Sequence, residues 1–438
     1  MLGCAAHASL SYTTLRRSRR DAVCVLLGAA APMLRGATSP VAGPIDRSLG
    51  AGIAQRKIPA VVGMVASGKK TLYEGAFGTR DSSGVPVRPD SIFSIASMTK
   101  AITTVAVLQL VEQGKLKLDE PVSTHLPQLA ELQVLEGFDP GSGNARLRPL
   151  RTPITLHHLI THTSGFCYDI WDAGAFRYNS QVPKPEGIPP LMFEPGTRWQ
   201  YGTGVDWTGR LVEAVSGMNL EDYFQAKILK PLEMVDTSYL LPPVKFDRLV
   251  SMYQRQENGS LKENERTQPQ PPKEYNGGGG LYSTAGDYVR FMQMILGRGR
   301  GSTGVRILGA PTVASMERNQ IGPLTAGKMK SQRLDLSSDV DIQPGANQKW
   351  SLGFLLNTTP YKGGRSAGSL AWAGLFNTFY WIDPKRNLCA VLCMQFLPFV
   401  DKAAIGLLDD FERSVYATLK RQAGWPFAAG EVAGIVAL

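Results

Sequence analysis

Cysteine is scarce in this chain of 438 residues, which contains five. Two of them lie close to the N-terminus, which leaves Cys167, Cys389 and Cys393. Cys389 and Cys393 lie in one strand-like run, where four residues of extended chain separate them by roughly 13 Å, beyond the reach of a disulfide. The sequence therefore predicts neither a disulfide framework nor a cysteine-rich metal site.

Long apolar segments and long basic runs are missing as well. The apolar run from Ala22 to about Leu34 is shorter than the roughly 20 residues that span a bilayer, so we expect no stable membrane insertion. The formal net charge is +10, but residues 1–38 contain five arginines and one aspartate, which leaves +6 for the rest of the chain. That charge is spread without an interleaved aromatic and basic stripe, so no nucleic-acid partner is expected.

The N-terminal segment LRRSRRDAVCVLLGAAAPML joins the pair Arg19-Arg20 to a short apolar run that small residues follow. This order resembles a twin-arginine export signal. It predicts a periplasmic or secreted mature protein. The alternatives are a basic extension of a cytoplasmic protein, or a start codon assigned too far upstream.

Strand-like segments occur near both ends of the chain. After the signal, PAVVGMVASGKKTLYEGAFG predicts a hairpin. Further strands are predicted over 349–357, 377–383 and 387–395, with mostly helical patterns between the two groups. Residues 130–152 and 255–280, rich in Pro, Gly, Gln and charge, are expected to form surface loops.

These patterns predict an α+β fold in which an antiparallel sheet, built from both chain ends and flanked by helices, is joined by an inserted, mainly helical domain. We expect a cleft between the two. The predicted division of the chain is 1–38 as a signal or extension, 39–120 and 275–425 as the sheet domain, 121–274 as the helical domain with cleft loops, and 426–438 as a tail.

The segment SMTKAITTVAVLQLVEQGK predicts a buried helix that starts near Ser97 and ends near Gly114. Lys100 follows Ser97 by three residues, so its amine can reach the hydroxyl on one helix face. Because an unpaired buried ammonium is costly, Lys100 is expected either to pair or to lose its proton readily enough to act as a base. Backbone N–H groups at the helix N-terminus can stabilise an oxyanion on Ser97. The alternative is a helix cap beside a solvated lysine.

Further motifs follow SMTK along the chain. They are LITHTSG at 159–165, EPGTRWQYGT at 194–203, NGGGGLYSTAGDYVRFM at 276–292 and AGSLAWAGLFNTFYWIDP at 367–384. In the order of these motifs, roughly residues 45–420 resemble the serine β-lactamase and penicillin-binding-protein superfamily, and in particular its class C β-lactamase-like esterases, the family VIII carboxylesterases. The resemblance implies the same α+β fold and no metal or organic cofactor.

The resemblance also implies the roles of the catalytic residues. Ser97 is the expected nucleophile, Lys100 shares its proton, and Tyr201 is the base or proton shuttle. A phenol titrates near ~10 and needs a nearby cation to work as a phenolate, which Lys100 would supply. The backbone N–H groups of Ser97 and Leu375 are expected to form the oxyanion hole.

Two positions depart from the β-lactamase pattern. Trp372-Ala373-Gly374 stands where β-lactamases have a cation that helps to hold the substrate carboxylate, and an indole cannot do so. Thr203 stands where an asparagine usually holds the acylamide of the substrate, and a hydroxyl lacks the paired donor and acceptor of an amide. Both departures favour esters over β-lactams.

Residues after the THTSG turn fall in an irregular stretch of the type that lines substrate pockets, although packing is the alternative for each. Together with the departures above, the expected substrate-binding residues are Trp372, Ala373, Gly374, Thr203, Asp169, Trp171 and Phe176.

Two patterns are interpreted as coincidental. Residues 364–368 fit the G-x-S-x-G nucleophile elbow, but a strand-like run follows Ser366 and every histidine precedes it, so a turn is predicted instead. His157, His158 and His162 lack an acidic partner in the metalloprotease arrangement, and are assigned to packing and turns.

We therefore expect a serine carboxylesterase that hydrolyses short-chain or aromatic esters, with a small-molecule ester as its partner. The alternatives are a β-lactamase or D-amino-peptidase, an acyltransferase of the same fold, and a non-catalytic binding or scaffold relative. The retained serine, lysine and tyrosine argue against the last of these.

Overall fold

The structure is a computed structural model, and it describes residues 42–183 and 186–421. The predicted export signal and C-terminal tail lie outside the described residues. In the part of the chain that the structure describes, no helix is both long enough and apolar enough to cross a membrane.

The described chain contains strands that range from two to eight residues. In chain order they are β1 (Ala60–Ser67), β2 (Thr71–Gly78), β3 (Phe93–Ser94), β4 (Gln133–Phe138), β5 (Ala145–Pro149), β6 (Tyr253–Arg255), β7 (Leu261–Glu263), β8 (Tyr282–Ser283), β9 (Gln348–Trp350), β10 (Leu355–Asn357), β11 (Leu370–Gly374), β12 (Thr378–Asp383), β13 (Leu388–Cys393) and β14 (Phe396–Leu397).

The helices lie between and around these strands. They are α1 (Ala42–Arg56), α2 (Thr99–Glu112), α3 (Leu156–Ile160), α4 (Ala173–Asn179), α5 (Gly204–Ser216), α6 (Leu220–Phe224), α7 (Pro243–Phe246), α8 (Ala285–Leu296), α9 (Ala310–Met316) and α10 (Lys402–Arg421). A 3-10 turn, Ala96–Met98, leads directly into α2.

The main sheet has seven antiparallel strands in the order β2-β1-β13-β12-β11-β10-β9. The N-terminal hairpin joins the C-terminal strands where β1 pairs with β13, in a register that sets Val62 opposite Cys393. Every residue of β11, β12 and β13 is buried, as expected for central strands covered on both faces. The predicted antiparallel sheet built from both chain ends is confirmed.

Successive residues of β1 face the two helical layers. A methyl group on Gly63 would touch Leu49 of α1 and Phe411 of α10, so these two helices cover one face. The next residue, Met64, approaches Gly286 of α8 on the other face. This alternation is the two-residue period of a strand, and it places α8 on the same side as the site described below.

Three sequence predictions need correction. The stretch 255–280, expected to be a surface loop, contains β7, which pairs with β6. The stretch 130–152, expected to be a surface loop, contains the paired strands β4 and β5. Its charged residues alternate with apolar ones, and Val134 is buried, so the charges hid a strand pattern. The predicted strand 349–357 is two strands, β9 and β10, separated by a turn in which Gly353 has φ of 86°.

The middle of the chain supplies α3 to α7 and lies against the sheet region through α2, which packs on α5. The domain boundaries at residues 120 and 275 stay a prediction.

Candidate active site

Ser97 lies in the 3-10 turn immediately before α2, and it is partly exposed. The preceding residue, Ala96, has φ of 44°, a left-handed conformation that is unfavourable for alanine. The turn is also held by α8, because the Tyr288 hydroxyl donates a 3.0 Å hydrogen bond to the Met98 carbonyl. A buried framework thus holds an accessible serine hydroxyl in a strained backbone turn.

Lys100 lies one turn further on and is 2% exposed. Its ammonium donates hydrogen bonds to Ser97 Oγ at 3.3 Å, to the Tyr168 hydroxyl at 3.0 Å and to the Gly278 carbonyl at 2.6 Å. It also lies 5.0 Å from the ring centroid of Tyr201. The predicted reach of the lysine to the serine is therefore present in the structure.

The charge state of Lys100 follows from its surroundings. Burial by itself lowers the pKa of the amine, but the hydroxyls of Tyr168 and Tyr201 and the carboxylate of Asp206 act in the opposite sense, and the pKa lies above its ordinary value. Of the two states expected from the sequence, the structure has the paired one. This direction of the pKa favours the ammonium form of Lys100 over a free amine base.

Tyr201 is buried between aromatic rings, with its hydroxyl facing Trp372. The indole Nε1–H of Trp372 donates a 3.1 Å hydrogen bond to that hydroxyl. A donor aimed at a phenol oxygen stabilises negative charge on it. Trp372 is 5% exposed, and its expected contact with substrate stays a prediction.

Tyr168 is a site residue that the sequence reasoning missed. It follows the THTSG turn by three residues, one position before the stretch that was considered for the pocket. Burial, followed by the charge of Asp206, raises the pKa of its phenol above the ordinary value, although Lys100 acts against this. Tyr168 therefore serves as a neutral hydrogen-bond partner of Lys100.

The end of β11 lies against the segment that leads to Ser97. A methyl group on Gly374 would collide with the carbonyl oxygen of Ile95, so only glycine allows this close approach. Leu375 follows directly and is partly exposed. The backbone N–H groups of Ser97 and Leu375 thus belong to adjacent segments, and their role as an oxyanion hole stays a prediction.

The remaining predicted substrate residues lie on several different segments. Trp171 lies 5.5 Å from Tyr201 between ring centroids, and its indole N–H donates to Ser337 Oγ. Asp169 accepts a hydrogen bond from Asn179, and Phe176 lies on α4. Ala373 lies in β11, and Thr203 directly precedes α5.

His162 packs at 4.6 Å from Tyr201 between ring centroids, and its Nδ1 accepts a hydrogen bond from the Gly202 N–H at 3.4 Å. Burial and the nearby Lys100 charge hold the pKa of this imidazole well below its ordinary value. It is therefore a neutral packing residue, in agreement with the sequence interpretation. Among the residues with described coordinates, no cluster of His, Cys, Asp and Glu could hold a metal ion.

Ser366, the decoy of the G-x-S-x-G pattern, is 8% exposed and lies in a turn before β11. Its N–H donates to Asp383, and Arg386 donates to its hydroxyl. The neighbouring Arg365 and Glu412 form a buried ion pair that borders a cavity of about 690 Å³, and none of the predicted site residues lines this cavity.

The Beta-lactamase family model matches residues 45–409. The chain belongs to the β-lactamase family. It is an enzyme of the serine β-lactamase-like superfamily of hydrolases and acyltransferases, as its motifs predicted.

This β-lactamase-family protein is similar to a monacolin J acid methylbutanoyltransferase of Aspergillus terreus, with 32% identity over 391 residues that cover 83% of this chain and 93% of the relative. It is similar to the same degree to a lovastatin esterase of Penicillium rubens, with 32% identity over 379 residues that cover 80% of this chain and 90% of the relative. The two names describe different acyl acceptors, and overall identity does not separate them.

Solved structures support the same fold. A variant of the simvastatin synthase LovD from Aspergillus terreus superposes with a TM-score of 0.77 at 30% identity, covering 88% of this chain and 97% of the other. The hydrolase EstCE1, described as having promiscuous acyltransferase activity, superposes with a TM-score of 0.67 at 20% identity, covering 86% and 98%. The second likeness shows the shared β-lactamase-family fold alone.

Proposed function

We propose that this enzyme transfers an acyl group from a carboxylic ester to an alcohol through an acyl-enzyme on Ser97. The observation that carries the proposal is the Lys100 ammonium, which hydrogen-bonds Ser97 Oγ inside a wall of aromatic side chains. Hydrolysis, in which water is the acceptor, is the second candidate. It corresponds to the family VIII carboxylesterase expected from the sequence, and similarity to a lovastatin esterase favours it.

In the first step, Ser97 Oγ bonds to the carbonyl carbon while the Tyr201 phenolate accepts the hydroxyl proton. The bond from the carbonyl carbon to the leaving alkoxide then breaks, and the Tyr201 proton passes to that oxygen. The Lys100 ammonium stabilises negative charge on Ser97 Oγ and on the Tyr201 oxygen, and it keeps its own proton throughout. The trapped product is an ester on Ser97.

In the second step, an acceptor alcohol gives its proton to Tyr201 and its oxygen bonds to the acyl carbon. The bond from that carbon to Ser97 Oγ then breaks, and the proton passes from Tyr201 to Oγ, which restores the free serine and the Tyr201 phenolate. Aromatic rings pack around the proposed base Tyr201, including those of Tyr168, Trp171 and Trp372. An apolar wall favours an alcohol with a hydrocarbon body over water, because such an alcohol buries apolar surface when it binds. This argument and the similarity to named acyltransferases support alcohol transfer as the first candidate.

The choice of acceptor can be measured directly. Purified enzyme is given p-nitrophenyl butyrate with increasing amounts of a hydrophobic alcohol such as 2-phenylethanol, and the new ester and free butyrate are quantified by chromatography. We expect the new ester to exceed free butyrate at millimolar alcohol. The Ser97→Ala variant serves as the blank. Butyrate as the sole product at every alcohol concentration would support the esterase candidate and refute transfer.

The division of work between the two tyrosines gives a second prediction. We expect Tyr201→Phe to slow acylation by roughly 10²-fold to 10³-fold, because the base is lost. Tyr168→Phe, which removes only a neutral partner of Lys100, should cost about tenfold or less. Pre-steady-state release of p-nitrophenol measures acylation in both variants. A larger loss in Tyr168→Phe than in Tyr201→Phe would indicate that Tyr168 is the base and Tyr201 the neutral partner.

A further inference from the structure

Asp206 is a half-buried carboxylate that the sequence reasoning did not consider. It lies in the first turn of α5, five residues after Tyr201, and is the acidic residue of that turn. Its Oδ1 atom is buried and has no hydrogen-bond partner. Buried carboxylates elsewhere are well bonded: Asp287 accepts from Asp236 and Thr237, and Glu412 pairs with Arg365. An unpaired buried oxygen is costly and needs a compensating interaction.

The compensating charge is on Lys100, on the far side of a glycine. A methyl group built on Gly278 would collide with Asp206 Oδ1 and would lie 3.0 Å from Lys100 Nζ. The carboxylate and the ammonium therefore face the same small volume beside Gly278, and this volume has no room for a side chain at position 278. The direct hydrogen-bond partners of Lys100 are the Ser97 hydroxyl, the Tyr168 phenol and the Gly278 carbonyl, and in their neutral forms none of them balances the charge of the ammonium.

We propose that Asp206 is a positioning residue whose negative charge, acting across Gly278, keeps Lys100 protonated through the whole acyl-transfer cycle. This inference rests on the proposed function of Ser97 and Lys100. A lasting ammonium cannot take the Ser97 proton, so the Tyr201 phenolate accepts it. Any Cβ at position 278 would push the two charges apart.

Asp206 and Lys100 each favour the charged form of the other. Burial raises the pKa of Asp206, whereas Lys100, a backbone hydrogen bond from Gly278 and the charge of Arg210 lower it. Asp206 in turn raises the pKa of Lys100, together with the two phenols. The other titratable or charged groups that face the pair are Tyr168, Tyr201, His162, Arg210 and Tyr239.

The test is the pH dependence of acylation. With p-nitrophenyl butyrate, the full-length wild-type enzyme should acylate without an alkaline decline up to about pH 10, since its ammonium is retained. In Asp206→Asn we expect a decline that begins at least about one pH unit lower. The change should fall on kcat, with KM altered less than threefold. Asp206→Glu keeps the negative charge, so its acylation rate should depend on alkaline pH as that of the wild type does, even if the rate itself is lower.

The matched control is Asp287→Asn, which removes a buried carboxylate bonded to a different loop. It should lower the melting temperature and leave the pH limb in place. A wild-type decline near pH 8, or a limb that is the same in Asp206→Asn and wild type, would overturn the inference while leaving acylation of Ser97 intact. Absence of a Ser97 acyl-enzyme in the wild type would instead refute the proposed function.

Discussion

Replacing Ser97 by alanine is expected to lower ester turnover by about 10⁴-fold or more, because the acyl-enzyme can no longer form. The side chain is partly exposed, so its truncation leaves no buried void and the melting temperature should change little. Initial rates with p-nitrophenyl butyrate, measured beside thermal unfolding of the same preparation, separate loss of chemistry from loss of fold.

The matched control for this experiment is Ser366→Ala, which removes the serine of the G-x-S-x-G pattern. Ser366 Oγ accepts a hydrogen bond from Arg386 in the segment before β11 and has no hydrogen bond to Lys100 or Tyr201. Turnover in this variant should stay within about twofold of the wild type. Activity that survives Ser97→Ala and is lost in Ser366→Ala would reverse the assignment of the nucleophile.

Replacing Lys100 by methionine is expected to lower acylation by about 10³-fold, because the charge that stabilises both oxygens in the transition state is removed. The variant also leaves the Gly278 carbonyl and the Asp206 carboxylate without their cation, so the free energy of unfolding should fall by ~1–3 kcal/mol. Stopped-flow release of p-nitrophenol and urea unfolding measure the two effects.

Two companion variants make the lysine experiment specific. Lys100→Arg keeps a positive charge but replaces a compact ammonium by a planar fork, which cannot make the same three bonds, and should recover less than tenfold of the lost rate. Lys115→Met removes an exposed lysine beyond the end of α2 and should leave acylation unchanged. Equal losses in Lys100→Met and Lys115→Met would show that net charge, and not the site, is responsible.

The fold could be predicted from the sequence because its signals are local. The hairpin of β1 and β2 shows strand-like apolar runs on both sides of a Ser-Gly-Lys turn, and the strands β12 and β13 are continuous apolar runs. The pair β4 and β5 was hidden by its charged residues, which are exposed on one side of a hairpin at the surface.

The site could be predicted only in part, because its members meet through the fold. The spacing of Ser97 and Lys100 is visible along one helix, and a family resemblance supplied Tyr201. Tyr168 and the Gly278 carbonyl reach Lys100 from segments 68 and 178 residues away, and no local pattern signals such contacts. Asp206 left one trace, an acidic residue in the first turn of a helix that is otherwise small or apolar there.

Trp372 shows how a departure that is visible in the sequence can have a contact that the sequence does not reveal. Its departure from the β-lactamase pattern was visible in the sequence and was interpreted as a substrate contact. In the structure the side chain points to Tyr201 and donates to its hydroxyl, which links the end of the sheet to the proposed base. The group that an indole N–H can reach depends on the face of the sheet on which the indole lies. For Trp372 that face is set by the position of β11 in the sheet, where it pairs with β12.

The central claim is that Ser97 is acylated during turnover. The most direct measurement is to mix enzyme with p-nitrophenyl butyrate, quench in acid within the first turnover, digest, and locate the butyryl group by tandem mass spectrometry. The account predicts a butyryl ester on Ser97 that disappears when an alcohol acceptor is added before the quench. A butyryl group on any other residue, or turnover with no acylated peptide under conditions that trap a burst, would contradict it.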